Sequence, residues 1–313
     1  MSKTLSIWTI VVTYNAETVI AKCLSSLEAS TVPTRILLID NGSEDATIEL
    51  VKRDFPNVIV DAGANIGFPG GCNRGVSLAG DDATAYFFLN PDAAVSPTCL
   101  EQLLNALNNN NQFAVVSPTV RHPENGLIEY AGALLDFANL DFGVVGYGEV
   151  DLEAFRGMDQ TGRPTGAAML VRRSSLDVVG PMDASYFLYW EECEWAWRFI
   201  RNGFQIGYVP DAMVLHSTSH STGGSGSKIY EYYYTRNLLR LVAEVKELSK
   251  FATLRQLLPL MVHRLWETAS RRKLKPLATA VYFEFLGIVD FLRGQYGPHA
   301  GLPPSAKYYS TSE

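Results

Sequence analysis

Short apolar runs alternate with helix-spaced apolar residues through the first third of the chain, and their order predicts an α/β sheet. Leu5–Tyr14 (LSIWTIVVTY) is a β-branched run of strand length and predicts the first, central strand. From Glu17 to Ala29 the apolar residues Val19, Ile20, Cys23, Leu24 and Leu27 recur at helical spacing, and Pro33 closes the segment. Arg35–Asp40 predicts a second strand, stopped by the turn-forming Asp40-Asn41-Gly42-Ser43. A helix is expected from about Ser43 to Asp54, and a third short strand over Val58–Val60. A β-α-β-α-β order implies a parallel sheet with right-handed crossovers.

Tyr86–Asp92 (YFFLNPD) is a buried strand by its aromatic run, ended by Asn90, Pro91 and a carboxylate. Open α/β sheets bind ligands beyond the carboxyl ends of their strands, so Asp92 stands where a ligand or metal would be met. The other reading is that Asp92 caps the helix starting near Ser96. Leu100–Leu107 is helical, Phe113–Ser117 and Gly166–Arg172 are strands, and a helix from Ser174 stops at Gly180-Pro181. Residues 120–165 are irregular, either a β-ribbon or a flexible loop on the acceptor side. Gln205–Leu215 predicts two short strands around Pro210-Asp211, and Lys228–Leu241 a helix carrying Tyr232, Tyr233, Tyr234, Arg236 and Asn237. Two further apolar-rich helices follow, Phe251–Trp266 and Leu277–Leu292, and the Gly-, Pro- and Ser-rich residues 294–313 are expected to be a disordered tail.

Composition narrows the class. The 313 residues are 47% hydrophobic and 19% charged, ordinary for a globular chain. No secretory leader is expected, and no apolar run reaches the roughly eighteen residues of a membrane span. The four cysteines show no C-x-x-C spacing, which suits reduced thiols in a cytoplasmic protein. The net charge of −7 is uneven: Arg236–Arg293 holds eleven Lys/Arg against five Asp/Glu, a net +6, leaving −13 over residues 1–235. An acidic body argues against nucleic acid as partner. The basic helices suit either an anionic membrane surface, at its inner face, or packing as a homodimer.

Candidate chemistry gathers at four places. Asn65-Ile66-Gly67-Phe68-Pro69-Gly70-Gly71-Cys72-Asn73-Arg74-Gly75 reads as a glycine-rich loop that lets backbone approach a ligand, or as a plain tight loop. It follows the third strand rather than the first, so a dinucleotide fold is excluded. Glu191, Glu192 and Glu194 open a helix among aromatic residues, which suits either the helix dipole or a general base. His216 and His220 lack an H-E-x-x-H helix or a third ligand, which argues against a zinc hydrolase. Ser217–Ser227 is a hydroxyl-rich segment fit to close over phosphates.

In this order the motifs resemble the inverting family 2 glycosyltransferases of the GT-A fold, particularly their rhamnosyltransferase-like branch, over about Ile7–Asn237. The resemblance implies a single Rossmann-like, mostly parallel sheet flanked by helices over residues 1–240, a nucleotide-sugar half (1–118), an acceptor half (119–240) and a helical appendage (241–293). It implies that Thr13, Tyr14 and Asn15 meet the donor nucleotide, that Asp40 with Asn41 bonds the nucleobase, and that Asn65, Gly67 and Asn73 lie along it. Asn90-Pro91-Asp92 occupies the place of the D-x-D motif with Asn first, so a divalent metal (Mg²⁺ or Mn²⁺) would rest on Asp92, the diphosphate and His216. Trp190-Glu191-Glu192 stands where the family keeps its acidic pair, whose second member is the base. Glu192 is the choice for the base, Glu191 is carried with it as the other catalytic carboxylate of the pair, and the assignment among Glu191, Glu192 and Glu194 stays open. His220, in the HSTG run, and Arg236, in Tyr234-Thr235-Arg236-Asn237, would contact diphosphate. The implied partners are a nucleoside-diphosphate sugar and a glycan or lipid-linked acceptor. A GT-A domain that only binds nucleotide or glycan is the alternative, and a nucleotidyltransferase is disfavoured because no basic glycine loop follows the first strand.

Overall fold

The computed structural model describes residues 6–157, 159–217, 227–271 and 274–302. The chain forms two compact units, one of Met1–Asp183 with Glu192–Thr218 and one of Ala184–Glu191 with Ser219–Glu313. This differs from the expected division after residue 240: the helix at 228–245 groups with the two helices that follow it.

The first unit runs β1 (Ile7–Thr13), α1 (Ile20–Glu28), β2 (Arg35–Asp40), α2 (Thr47–Asp54), β3 (Ile59–Ala62), α3 (Gly67–Leu78) and β4 (Ala85–Leu89). It continues through β5 (Ala93–Val95), α4 (Cys99–Asn109), β6 (Phe113–Arg121), β7 (Ile128–Tyr130) and β8 (Gln160–Thr161). It ends with β9 (Ala168–Arg172), α5 (Arg173–Val179), α6 (Glu191–Arg201) and β10 (Gln205–His216). All the strands join one sheet in the order β3-β2-β1-β4-β9-β6-β10-β5, with β7 on β6 and β8 on β10. The expected parallel arrangement holds in β3-β2-β1-β4 and in β6-β10, while β9 runs antiparallel between β4 and β6.

Successive strand residues point to opposite faces, so each strand feeds two cores. Ile7, Val11, Leu38, Phe87 and Leu89 meet Ile20, Leu24 and Leu27 of α1, Val51 of α2 and Leu100, Leu103 and Leu107 of α4. Trp8, Ile10, Val12, Leu37, Ile39, Tyr86 and Phe88 meet Cys72 of α3, Leu176 of α5 and Trp195 and Phe199 of α6. Because both faces are covered by helices, the central strands read as unbroken apolar runs. Phe88 and Trp195 meet edge to face with centroids 6.0 Å apart.

Two local expectations are corrected. The glycine-rich segment is not a loop beyond Ile66 but the helix α3, pressed onto β1. A Cβ on Gly71 would lie 2.6 Å from Val12 Cγ1, and one on Gly75 would strike Ile10 Cγ2. These glycines let a helix approach a strand, which the same composition cannot distinguish from a backbone approaching a ligand. Gln205–His216 is one strand rather than two, with a register shift between Val209 and Met213 that absorbs Pro210-Asp211. Residues 128–145 form an irregular ribbon, with bridges at Ala133–Val144 and Asp136–Asp141.

The second unit holds α7 (Lys228–Val245), α8 (Lys250–Arg271) and α9 (Leu274–Arg293). Ser227 caps α7 by accepting from Tyr230 N–H. The start of the expected disordered tail is in fact packed: Gly297 N–H donates to Ser185 O at 2.7 Å and Leu302 is buried. Among the described residues no helix is long and apolar enough to cross a membrane.

Candidate active site

Strand register brings the central charged groups together. Thr13 lies beside Asp40, and Asp40 beside Ala62, so β1, β2 and β3 end at one edge of the sheet. β4 ends at Leu89 opposite Val11 and delivers Asn90-Pro91-Asp92 at the same edge. β5 then runs antiparallel to β10 with Ala93 opposite His216, which places His216 next to Asp92. His216 Nε2 lies 3.1 Å from Asp92 Oδ1, and Asn90 Nδ2 is 3.3 Å from the same nitrogen. β6 ends at Arg121 opposite Leu215, so the last residue of β10 meets the ribbon instead: His216 Nδ1 lies 2.9 Å from both oxygens of Glu129 on β7.

His216 is buried, and burial alone would lower its pKa. The hydrogen bonds and charges of Asp92 and Glu129 outweigh that, and its pKa is pushed up to about 10. One imidazolium between two carboxylates leaves a local excess of negative charge. That set suits a hard divalent cation: a carboxylate oxygen and an imidazole nitrogen face one point, with the other ring nitrogen fixed by a second carboxylate. A cation there would take the place of the shared proton between Asp92 Oδ1 and His216 Nε2. Among the described residues no group of three His, Cys, Asp or Glu could hold a metal alone, so further oxygens would have to come from a bound molecule or water.

The other residues expected at the nucleotide edge are placed as follows. Thr13 Oγ1 is buried and has no hydrogen-bond partner among the described residues. Burial, then the Glu44 charge, raises the pKa of Tyr14. Asn15 takes a left-handed φ of 49°, and its Oδ1 accepts from Glu44 N–H at 2.8 Å. Asp40 accepts from Gly42 N–H and Ser43 N–H at 3.1 and 2.9 Å, closing the turn after β2. Asn41 Nδ2 donates to Gly67 O at 3.1 Å, while Asn65 Oδ1 accepts from Gly67 N–H at 2.9 Å, so both fix the start of α3. Asn73 is engaged in both directions with Met182, donating to its carbonyl at 2.8 Å and accepting from its N–H at 3.1 Å. His220 lies outside the described residues.

The three carboxylates of α6 separate by environment. Glu194 is gripped by Arg198 through two contacts, at 2.6 and 2.9 Å. Glu192 faces Arg163 at 3.6 Å, with both side chains largely covered. Arg163 is tied to the ribbon, its carbonyl accepting from Tyr130 O–H at 2.6 Å, next in sequence to Glu129. Glu191 is buried and groups with the second unit.

Arg236, expected at the diphosphate, is engaged by its own unit in this structure. It is 1% exposed, and its guanidinium donates to Gly297 O at 2.7 Å, Tyr186 O at 3.1 Å and Asn237 Oδ1 at 2.9 Å. Asn237 Nδ2 in turn donates to the carbonyls of Tyr186, Leu188 and Tyr189 at 2.8, 2.8 and 3.1 Å. The backbone it holds carries positive φ at Phe187 (66°), Tyr189 (66°) and Trp190 (71°), strain that only a firm external hold sustains. Glu129, Arg163 and this use of Asn237 went unread in the sequence. A lone carboxylate between Ile128 and Tyr130 was the signal available for the first.

Comparison with known proteins gives a consistent picture. The family model "Glycosyl transferase family 2" matches residues 8–180. The N-acetylglucosaminyl-diphospho-decaprenol L-rhamnosyltransferase of Mycobacterium tuberculosis is 30% identical over 237 residues, covering 68% of this chain and 76% of that protein. A low-salt glycan biosynthesis hexosyltransferase of Haloferax volcanii is 23% identical over 295 residues, 89% of this chain and 90% of its own length. Among solved structures, a mannosyltransferase of Pyrobaculum calidifontis in complex with GDP-Man and Mn²⁺ superposes with a TM-score of 0.58 at 16% identity, covering 94% of this chain and 85% of that one. S. aureus TarS (residues 1–349) gives a TM-score of 0.55 at 13% identity, covering 92% and 81%. These two likenesses concern the fold.

Proposed function

The chain belongs to glycosyl transferase family 2 and is a glycosyltransferase of GT-A fold with rhamnosyltransferase relatives; from that premise we propose an inverting, metal-assisted transfer of a sugar, rhamnose in the first instance, from a nucleoside diphosphate to a glycan or lipid-linked acceptor. The observation that carries the reading is the meeting of Asp92, His216 and Glu129 at the strand ends where a family 2 donor is expected. Rhamnose and the lipid-linked acceptor are supported by the mycobacterial relative's name, and a divalent cation by the Mn²⁺ bound to the Pyrobaculum mannosyltransferase.

Asp92 and His216 would hold a divalent cation, which when bound would supply positive charge against the departing diphosphate. Glu129 fixes the His216 tautomer by accepting from Nδ1–H and so aims Nε2 at the cation site. Thr13 offers its unpartnered hydroxyl to the donor nucleotide, beside Asp40 and Asn15. Glu192, oriented by Arg163, takes the proton of the acceptor hydroxyl as its oxygen attacks the anomeric carbon. One carbon–oxygen bond forms as the bond to diphosphate breaks on the opposite face, which inverts the anomeric centre. Glu191, buried beside it in sequence, is the carboxylate this assignment passes over.

The test is Glu192→Gln. It should lower kcat by about 10²–10⁴-fold, the usual worth of general-base help. Stabilisation by a nucleoside-diphosphate sugar, read as a thermal shift with and without Mn²⁺, should persist. Undiminished transfer would remove Glu192 from the mechanism, and a product of retained configuration would remove inversion. A wild-type chain stabilised by no nucleoside-diphosphate sugar overturns the reading as a whole.

A further inference from the structure

The helices α8 and α9 present an unusual surface. On α8, Phe251, Leu258, Val262 and Trp266 are exposed, Phe251 at 78% and Trp266 at 68%. Their spacing of seven, four and four residues keeps them on one side of the helix. On α9, Val281, Tyr282 and Phe285 are exposed as well, Phe285 at 61%. Seven large apolar side chains in solvent on two adjacent helices are far more than scattered surface hydrophobics. They mark a face that something covers.

The placement of charge says what covers it. The acidic residues of α9 turn inward: Glu284 is buried 3.7 Å from Arg264, and Asp290 is buried and accepts from Tyr232 O–H at 2.6 Å. Among the described side chains, the exposed stripe of α8 includes Arg255 and His263 and no carboxylate. Residues 241–293 hold nine Lys/Arg against five Asp/Glu, and Arg271-Arg272-Lys273-Leu274-Lys275 stands in the sequence where α8 gives way to α9. A second copy of the chain fits poorly. In an isologous contact the opposing face is the same face, so among the described side chains Arg255 would find no carboxylate to meet it.

We propose that the exposed face of α8 and α9 docks on an anionic membrane surface, with Trp266, Tyr282 and Phe285 entering the headgroup boundary and the cations meeting lipid phosphates. Trp266 and Tyr282 favour that boundary because each ring system has an apolar body and a polar N–H or O–H, and Phe285 adds apolar area beneath it. Basic residues beside an apolar stripe gain from the negative surface potential. Because no described helix can span a bilayer, the helices lie on the surface rather than cross it. The inference touches the proposed function at one point: docking would hold the enzyme where a lipid-linked acceptor resides.

The full-length chain should co-sediment with vesicles of equal parts phosphatidylglycerol and phosphatidylcholine, and much less with phosphatidylcholine alone. Added salt should release it. The double variant Trp266→Ala, Phe285→Ala should bind the anionic vesicles about tenfold more weakly, with its circular dichroism and its transfer to a water-soluble acceptor unchanged. No binding of the wild-type chain to anionic vesicles overturns the proposal. So does a dimer in solution that Trp266→Ala dissociates, since the face then belongs to a second copy. Vesicle binding needs no donor and no turnover. Binding without transfer therefore counts against the catalytic reading alone, and transfer without binding counts against the docking face alone.

Discussion

Charge is buried in two regions of this molecule, and the two handle it in opposite ways. In the first unit a single imidazole lies between the carboxylates of Asp92 and Glu129, so negative charge is left over where the strands end. In the second unit Arg236 donates from each of its three nitrogens, to two carbonyls and to Asn237, and its guanidinium carbon lies over the rings of Tyr232 and Tyr233 at 5.2 and 4.8 Å. A buried group with charge left over is poised to bind something; one held through each of its three nitrogens by the surrounding chain is holding the fold. Burial alone does not distinguish them, because both groups are among the most enclosed polar side chains present.

Of the substitutions that probe these two regions, the one with the largest expected effect sharpens that contrast directly. Asp92→Asn keeps the shape but removes the charge, and should cost about 10²–10³ in kcat, as loss of one electrostatic group at a reacting centre typically does. Its Mn²⁺-dependent thermal shift should vanish while the unliganded melting temperature barely moves. If Asp92→Asn instead melts early and still responds to Mn²⁺, the charge at the strand ends is structural and the contrast collapses.

The second region should answer the other way. Asn237→Ala takes the side-chain donor from the carbonyls of Leu188 and Tyr189, while Tyr186 O keeps Arg236, and it releases backbone held at positive φ. An unsatisfied buried acceptor costs about 1–3 kcal/mol, so a loss of about 3 kcal/mol, read as a lower denaturation midpoint, is expected. Arg236→Lys keeps the charge but not the fork, and should fall between this variant and the wild type. A full-stability Asn237→Ala with impaired donor binding would return the Arg236-Asn237 pair to the role first expected of it.

How much of this was readable follows from what each feature depends on. Arg35–Asp40 was found to the residue because a buried parallel strand is a continuous apolar run that ends in turn formers. The glycines of α3 were misread because glycine serves close helix–strand contact and close ligand contact alike. Asp92 and His216 were named separately; that they meet at 3.1 Å depends on the antiparallel register of β5 and β10, which no local pattern encodes. Glu129 was missed because its ribbon has no sustained alternation, and its partner lies 87 residues away. The burial of Arg236 was not legible because α7 buries charged and tyrosine residues around it and so shows no clean apolar stripe.

Glu129 offers the next smaller test. As the carboxylate behind the imidazole, it should matter to whatever His216 binds without touching that ligand itself. Glu129→Gln retains an acceptor for Nδ1–H but not the charge, and Mn²⁺ affinity should weaken about 10–100-fold. The measurement is a Mn²⁺ titration followed by thermal shift in the presence of nucleoside diphosphate. Unchanged affinity would mean that Glu129 only closes the ribbon over the sheet.

The smallest effect is expected on a single helix where both behaviours occur two residues apart. Glu194 sits one half-turn beyond Glu192 on α6, and Arg198 grips it through two nitrogens at 2.6 and 2.9 Å. Arg198 is itself anchored, donating to Val179 O at 3.0 Å and to Pro181 O at 2.8 Å, so the pair staples α6 to the end of α5. Glu194→Gln keeps one contact and loses the charge. It should cost about 1 kcal/mol of stability, the usual net worth of one intramolecular hydrogen bond, and leave kcat unchanged. Glu192→Gln should do the reverse, since its contact with Arg163 is longer, at 3.6 Å, and leaves carboxylate capacity for an acceptor hydroxyl. If the two substitutions exchange these outcomes, Glu194 is the base and the Arg198 grip is a resting state that the substrate breaks.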